Sequence, residues 1–416
     1  MICGNINTYG IIVYQIEKFL NPQSRNFPKK GGELLKNTGI ICEYNPFHKG
    51  HAKQIAAIRQ ERGPQEGIVC LMSGSFVQRA APAILDKSLR AEAAILCGAD
   101  LVLEMPVTHT LCSAEGFAGG SVAILSKFCQ RLSFGAETAD RETLLALARA
   151  LISPDFPPAL RTFLDAGLSF PIARQKALEK LGMDASLLSM PNNILAVEYC
   201  KAILLQGNAI EPCPIKRDGS YHAQIPDEEN PSATSLRSCM REHKDISPYL
   251  PPQCVPLFEN ASLHSLQAGE RAILAKLRTM TDAEFSLLPG GSEGLWRKLM
   301  HACREYATVE EIASAVKSKR YTRTRIDRMI LCAFLGITEE MLSAPVPYVR
   351  VLAFNDRGRE ILKTAREFLD IPNAGESREG DYAALETRCG RLYGLFAENT
   401  PASPTIEHAR RVRYIN

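Results

Sequence analysis

The chain has 416 residues, 45% of them hydrophobic and 23% charged, with a formal net charge of +3. That composition excludes a disordered or fibrous chain, and the length predicts two or three domains at roughly 100–200 residues each. The near-neutral balance neither demands nor excludes a nucleic-acid partner, so any basic footprint has to be local.

Residues 1–37 hold a short apolar stretch at Ile11–Val13 and then Asn, Pro, Lys and Gly-rich text, which reads as a poorly ordered N-terminal extension. Gly39 to Cys42 reads as a buried strand, and His51 to Arg62 as a helix with Ile55 and Ile58 on one face. A second strand at Ile68–Met72 is followed by a helix from Lys87 to Cys97 that stops at Gly98. Asp100–Glu104 gives a third strand, Ser113–Phe128 a helix, Leu132–Phe134 a fourth strand, and Asp140 caps a helix through Ile152. This alternation predicts a Rossmann-like α/β fold, a parallel sheet with helices on both faces. Ligands on such sheets bind beyond the carboxyl ends of the strands.

Ser153–Met190 reads as a helical insertion, Pro191–Leu205 as a helix, and a strand runs through Ile215 before a loop to Arg237. Beyond the Pro-rich segment 248–256 the pattern is helical, at Ala272–Met280, Leu295–Tyr306, Val309–Ser318 and Thr324–Leu335. The domains expected are therefore 38–245, α/β, and 246–416, mainly helical. The 13 cysteines are scattered singly, without the paired spacing of zinc ligands, which argues for a reducing cytoplasm over a disulfide framework or a zinc site. No apolar run reaches the ~18 residues of a membrane span, and no signal peptide opens the chain, so no membrane association is expected.

The strongest chemical signal is the segment from Glu43 to His51, between the first strand and its helix. Gly50 lets the backbone approach a ligand, and the helix start offers N–H groups and a positive dipole end to phosphate. His48 and His51 can both turn toward that phosphate and donate to charge developing on it, which points to a nucleotidyltransferase that attacks the α-phosphate of ATP. Two solvated histidines near a helix start, or a metal pair, are the bland alternatives.

Weaker signals follow the later strands. Ser73-Gly74-Ser75 with Arg79 suits an anion or an ordinary turn, and Lys87 and Arg90 share a helical face toward phosphate or toward water. Gly135 leaves room for adenine or ribose, Asn192 and Asn193 start a helix, and Lys216-Arg217 closes a short strand. Ser232, Thr234 and Arg237 put hydroxyls and a guanidinium at a helix start, a geometry for phosphate or for plain capping. Lys319, Arg320 and Arg323, within a basic stretch interleaved with Tyr321, are candidates for RNA-backbone contact against the reading of a solvated helix face.

The runs GIICEYNPFHKGH, LMSGSFVQRAAPAILDK, GADLVLEMP, SAEGFA, LSFGAE, PNNILAVEY, PIKR and SATSLR, and later KRYTRTRI and PYVRVLAFNDRG, resemble the bacterial tRNA(Met) cytidine acetate ligases, in that family's order from about residue 38 onward. The resemblance implies that ATP and acetate give acetyl-adenylate and pyrophosphate, and that the acetyl group passes to N4 of the wobble cytidine of elongator tRNA(Met). It implies an ATP-binding loop of Ile41, Cys42, Glu43, Tyr44, Asn45, Pro46, Phe47, His48, Lys49, Gly50, His51, Ala52, Lys53 and Gln54, with further contacts at Gly135, Asn192, Arg217 and Asp218. Ser75 stands where the family has Asn, Ala80-Ala81 where it has Gly-Glu, and the stretch after Arg217 is short. The sequence offers no protein cage for a metal, so Mg2+ is expected on the phosphates. The rivals are an adenylyltransferase making a small cofactor and a non-catalytic RNA-binding protein that has kept the fold.

Overall fold

The computed structural model describes residues 29–30, 33–34, 36–207, 210–217, 231–366, 369–402 and 410–416. Seven strands form one sheet: β1 (Asn37–Cys42), β2 (Gly67–Ser73), β3 (Leu101–Met105), β4 (Arg131–Ala136), β5 (Glu211–Lys216), β6 (Val351–Phe354) and β7 (Arg413–Tyr414). Their spatial order is β7-β6-β3-β2-β1-β4-β5. All pairings from β3 to β5 are parallel, as the alternation predicts. Between the strands run α1 (Lys49–Arg62), α2 (Lys87–Leu96), α3 (Ala114–Leu125), α4 (Arg141–Ile152), α5 (Phe156–Asp165), α6 (Phe170–Lys180) and α7 (Pro191–Leu205).

β2 is buried along its whole length because both faces are covered. Ile68, Cys70 and Met72 pack with Ile55 and Ile58 of α1, while Val69 and Leu71 point the other way into a cluster with Val122 and Leu125 of α3. At the β5 edge, Pro212 and Pro214 alternate with Glu211 and Cys213, so the outward positions carry no amide N–H and the edge is blunted against further pairing.

α8 (Ala233–Arg241), α9 (Leu266–Thr279), α10 (Leu295–Glu305), α11 (Val309–Val316) and α12 (Arg323–Leu335) follow, then α13 (Asp356–Ala365) and α14 (Asp381–Tyr393). α9 to α12 and α14 share a core of their own, including Ile273, Leu299, Ile312, Leu331 and Phe396, and Phe76 and Leu111 from the sheet side join it. The sequence placed 246–416 in a mainly helical region, yet β6, α13 and β7 return to the sheet, with β6 antiparallel to β3. A four-residue apolar run carries no period that separates a strand from a helix, and its partner lies some 250 positions away.

β1 begins at Asn37, so that residue belongs to the sheet and not to the extension: its side chain donates to the Phe128 carbonyl at 2.8 Å. The rest of the expected extension lies outside the described residues, apart from Lys29–Lys30 paired with Glu33–Leu34 and the carbonyl of Lys36. No helix among the described residues is long and apolar enough to cross a membrane.

Candidate active site

The chain starts in the middle of the sheet, builds β2 and β3 on one side and then β4 and β5 on the other. The order therefore reverses between β1 and β4, and the crevice beyond their carboxyl ends is the ligand position such sheets provide. The segment after β1, the segment after β4 and the residue after β5 meet there.

α1 is capped by imidazoles. His48 has extended backbone angles, and its Nδ1 accepts from the Gly50 N–H at 3.1 Å. His51 Nδ1 reaches back to accept from the His48 N–H at 3.3 Å, a reciprocal capping box. A Cβ on Gly50 would lie 2.9 Å from His48 Cε1, so only glycine admits this folded-back ring. The two rings stack with centroids 3.8 Å apart, and Tyr44 and Phe47 pack on His51.

The caps fix the chemistry. With both Nδ1 atoms accepting, the neutral rings carry their protons on Nε2. Burial drives the His48 pKa down to about 3, helped by the positive charges of Arg217 and Arg237. His51 is pushed well below its ordinary value by burial, then by His48 and Arg217. Both rings are thus neutral donors at pH 7, and His48 Nε2 is buried with no partner among the described residues.

The scaffold beneath is held tightly. Tyr44 is buried with a φ of 47°, a left-handed conformation costing of order 1–3 kcal/mol for such a residue, so the surroundings must hold it. Asn45 Oδ1 accepts from Ile84 N–H at 2.7 Å, and Glu43 Oε1 from Gln78 N–H at 2.9 Å. Gln54 reaches Ser133 on β4. Tyr44, Asn45, Pro46 and Phe47 are buried, and they support the loop from below. Ile41, Cys42, Lys49, Gly50 and Ala52 keep part of their surface, and Lys53 is exposed.

Across the crevice, Arg217 lies over the end of β4. A Cβ on Gly135 would sit 2.8 Å from Arg217 Cγ, so the glycine is the space the arginine occupies. Arg217 Nη1 donates to Asn192 Oδ1 at 3.3 Å. Arg237 donates to the Asn45 carbonyl at 2.8 Å and to Thr234 Oγ1 at 3.1 Å, which sets it against the histidine loop. Ser232 serves as the α8 cap, accepting from Ser235 N–H. Asp218 lies outside the described residues.

The family of HIGH Nucleotidyl Transferases matches residues 35–406. A Clostridium acetobutylicum protein named tRNA(Met) cytidine acetate ligase is 32% identical over 400 residues, covering 90% of this chain and 98% of the relative. The chain belongs to the tRNA(Met) cytidine acetate ligase family. A Clostridium novyi relative of the same name is 38% identical over 355 residues, covering 80% of this chain and 88% of its own. The apo crystal structure of Thermotoga maritima TmcAL superposes with a TM-score of 0.84 at 28% identity, covering 91% of this chain and 99% of that one. A second form of it, bound with alpha-thio ATP, gives a TM-score of 0.81 at the same identity and coverage.

Three residues of this family member do something the sequence did not disclose. Arg90 faces neither phosphate nor water: it is fully buried and donates to the carbonyls of Leu85, Glu43, Ser73 and Gly74. One guanidinium thereby ties the loops after β1 and β2 together. Lys87 is equally inward, in a buried 2.7 Å ion pair with Glu104. Glu137 caps α7 by accepting from the N–H groups of Asn192 and Asn193 and from the Asn192 side chain. No local spacing reveals these roles, because they rest on partners remote in sequence, such as the Glu43 carbonyl for Arg90 and the Asn192 and Asn193 N–H groups for Glu137.

The expected RNA-contacting residues sit on the helical region. Arg323 is held by Glu310 and Asp327, and Arg320 by Glu293, whereas Lys319 is exposed.

Proposed function

We propose that the chain is an ATP-dependent ligase that activates acetate as acetyl-adenylate and passes the acetyl group to N4 of the wobble cytidine of elongator tRNA(Met). One observation carries the adenylation step: two neutral imidazoles and two guanidiniums, from His48, His51, Arg217 and Arg237, converge where the strand order reverses. That set matches a polyphosphate whose charge shifts during attack. The relatives' names support acetate and tRNA(Met), and the alpha-thio ATP bound to the Thermotoga protein supports the nucleotide.

In the first step an acetate oxygen attacks the α-phosphorus of ATP. A new P–O bond forms, the bond to the bridging oxygen of the β-phosphate breaks, and pyrophosphate leaves with the electron pair. The Nε2–H groups of His48 and His51 donate to the oxygens that gain charge. Arg217 and Arg237 hold the phosphate chain in line, and the N-terminus of α1 adds its dipole. In the second step the cytidine N4 attacks the acetyl carbonyl, AMP leaves, and the nitrogen sheds a proton to give the amide.

The described residues contain no group of three or more His, Cys, Asp or Glu that could hold a metal ion. A magnesium ion would enter on the phosphates. The proposed tRNA substrate supports a cytoplasmic reaction.

The experiment combines two readouts: acetate-dependent exchange of labelled pyrophosphate into ATP, and transfer of labelled acetate into total tRNA. Exchange and N4-acetylcytidine in the digested RNA are expected together. Exchange without label in RNA would assign the acyl group to another acceptor.

A further inference from the structure

The segment before α10 and the loop before α12 form one surface. Tyr321 donates its hydroxyl to the Glu293 carbonyl at 2.9 Å, and Arg325 donates to the Gly290 carbonyl at 2.8 Å and to Ser292 Oγ at 3.0 Å. Lys298 on α10 donates to the Val316 carbonyl at 2.9 Å. Residues 290–298 and 316–325 are therefore locked side by side.

That surface carries the chain's single tryptophan. Trp296 is half-buried, and the Arg297 guanidinium lies 4.4 Å from its ring centre. Tyr321, also half-buried, has Arg325 at 5.6 Å and Arg320 at 6.0 Å. Arg297, Lys317 and Lys319 are exposed and have no acidic partner among the described residues. The nearby acids are already engaged, Glu293 with Arg320 and Glu310 with Arg323.

We propose that Trp296, Arg297, Lys317 and Lys319 form a contact surface for the sugar-phosphate backbone of the substrate tRNA. Exposed cations without internal counter-ions release condensed ions when they meet a polyanion, and that gain is what drives such binding. The guanidiniums over these half-buried rings offer planar faces on which a base can stack, and leave little protruding apolar surface for a lipid. This surface replaces Arg320 and Arg323 as the centre of the basic footprint, because ion pairs already neutralise those two. The inference rests on the proposed tRNA substrate.

Trp296 supplies its own reporter. Titrating the full-length protein with unmodified tRNA at several salt concentrations should change the tryptophan emission, with affinity falling as salt rises. R297A/K317A/K319A should weaken binding about tenfold or more and lower the slope of log K against log salt by about 2, at roughly 0.7 per lost contact. Its acetate-dependent pyrophosphate exchange without RNA should equal that of the wild type, and R320A/R323A should change affinity much less. Wild-type affinity and slope in the triple variant, or emission that ignores saturating tRNA, would overturn the surface while leaving the ligase reading intact. A wild-type protein that acetylates no tRNA would instead remove the reading on which the surface rests.

Discussion

The switch point and the ion-paired Arg320 and Arg323 of the helical region treat their cations in opposite ways. At the switch point His48 Nε2 has no partner, and Arg217 meets only the neutral Asn192 among the described residues. In the helical region Arg323 is clasped by Glu310 through both oxygens and by Asp327. A site for an anion keeps donors positioned but unneutralised until the ligand arrives, while a structural surface neutralises its cations internally. Basic residues crowded in sequence therefore say less than basic residues left without internal counter-ions.

The largest effect that would break this contrast is at the histidines. His51→Ala should reduce acetate-dependent pyrophosphate exchange about 10²-fold or more, the usual loss for one transition-state donor. Removing its half of the capping box should cost stability only about 1 kcal/mol. Exchange near the wild-type rate would place the chemistry elsewhere. Next in size is Gly135→Ala, whose added Cβ would meet Arg217 at 2.7–2.8 Å and push it off the end of β4. We expect KM for ATP to rise about tenfold, the worth of one charge-assisted contact, with kcat changed less. An unchanged KM would mean that Arg217 does not touch the nucleotide.

The parts of the site legible in the sequence share one property: they are local. The strand, the loop from Glu43 to His51 and the helix start lie in one continuous segment, so His48, Gly50 and His51 announce themselves by spacing. Gly135 lies at the end of one strand and Arg217 just after another, each set by its own short segment. What stayed hidden depends on remote partners. Arg90 looks like a surface residue on α2 until the Glu43 carbonyl, 47 positions away, is brought to it. Arg323 looks available until α11 presents Glu310. β6 stayed hidden likewise, since its partner β3 lies across the chain.

A smaller effect sharpens the claim that His48 is buried and neutral. An ordinary histidine titrates near 6.5, but His48 is held to about 3 by burial and by the two nearby arginines. Acetate-dependent exchange should then vary less than about twofold between pH 6 and 8. Folding stability should behave differently. Below about 6.5 the unfolded imidazole takes a proton that the folded one refuses until about 3, so stability falls as pH drops through that window. Exchange that halves near pH 6.5 would show that the rings titrate normally and are not preorganised donors.

The smallest effect concerns where the sheet begins. The Lys36 carbonyl accepts from Gly67 N–H at 2.9 Å, Asn37 bonds Gln130 and Phe128, and Thr38 donates to Glu66 at 2.6 Å. Upstream, the strand pair Lys29–Lys30 and Glu33–Leu34 forms a separate two-stranded sheet that does not join the seven-stranded one. Removal of residues 1–35 should leave exchange activity and melting temperature unchanged within a few degrees, because it takes away none of these bonds. A cut three residues later, after Thr38, removes all of them at the central strand. At about 1–3 kcal/mol for each buried group left unsatisfied, and roughly 2–4 °C per kcal/mol, it should lower the melting temperature by 5 °C or more. Two truncations three residues apart thus bracket the edge of the fold. Equal melting of the pair, or a large drop in the longer one, would put that edge somewhere other than Lys36.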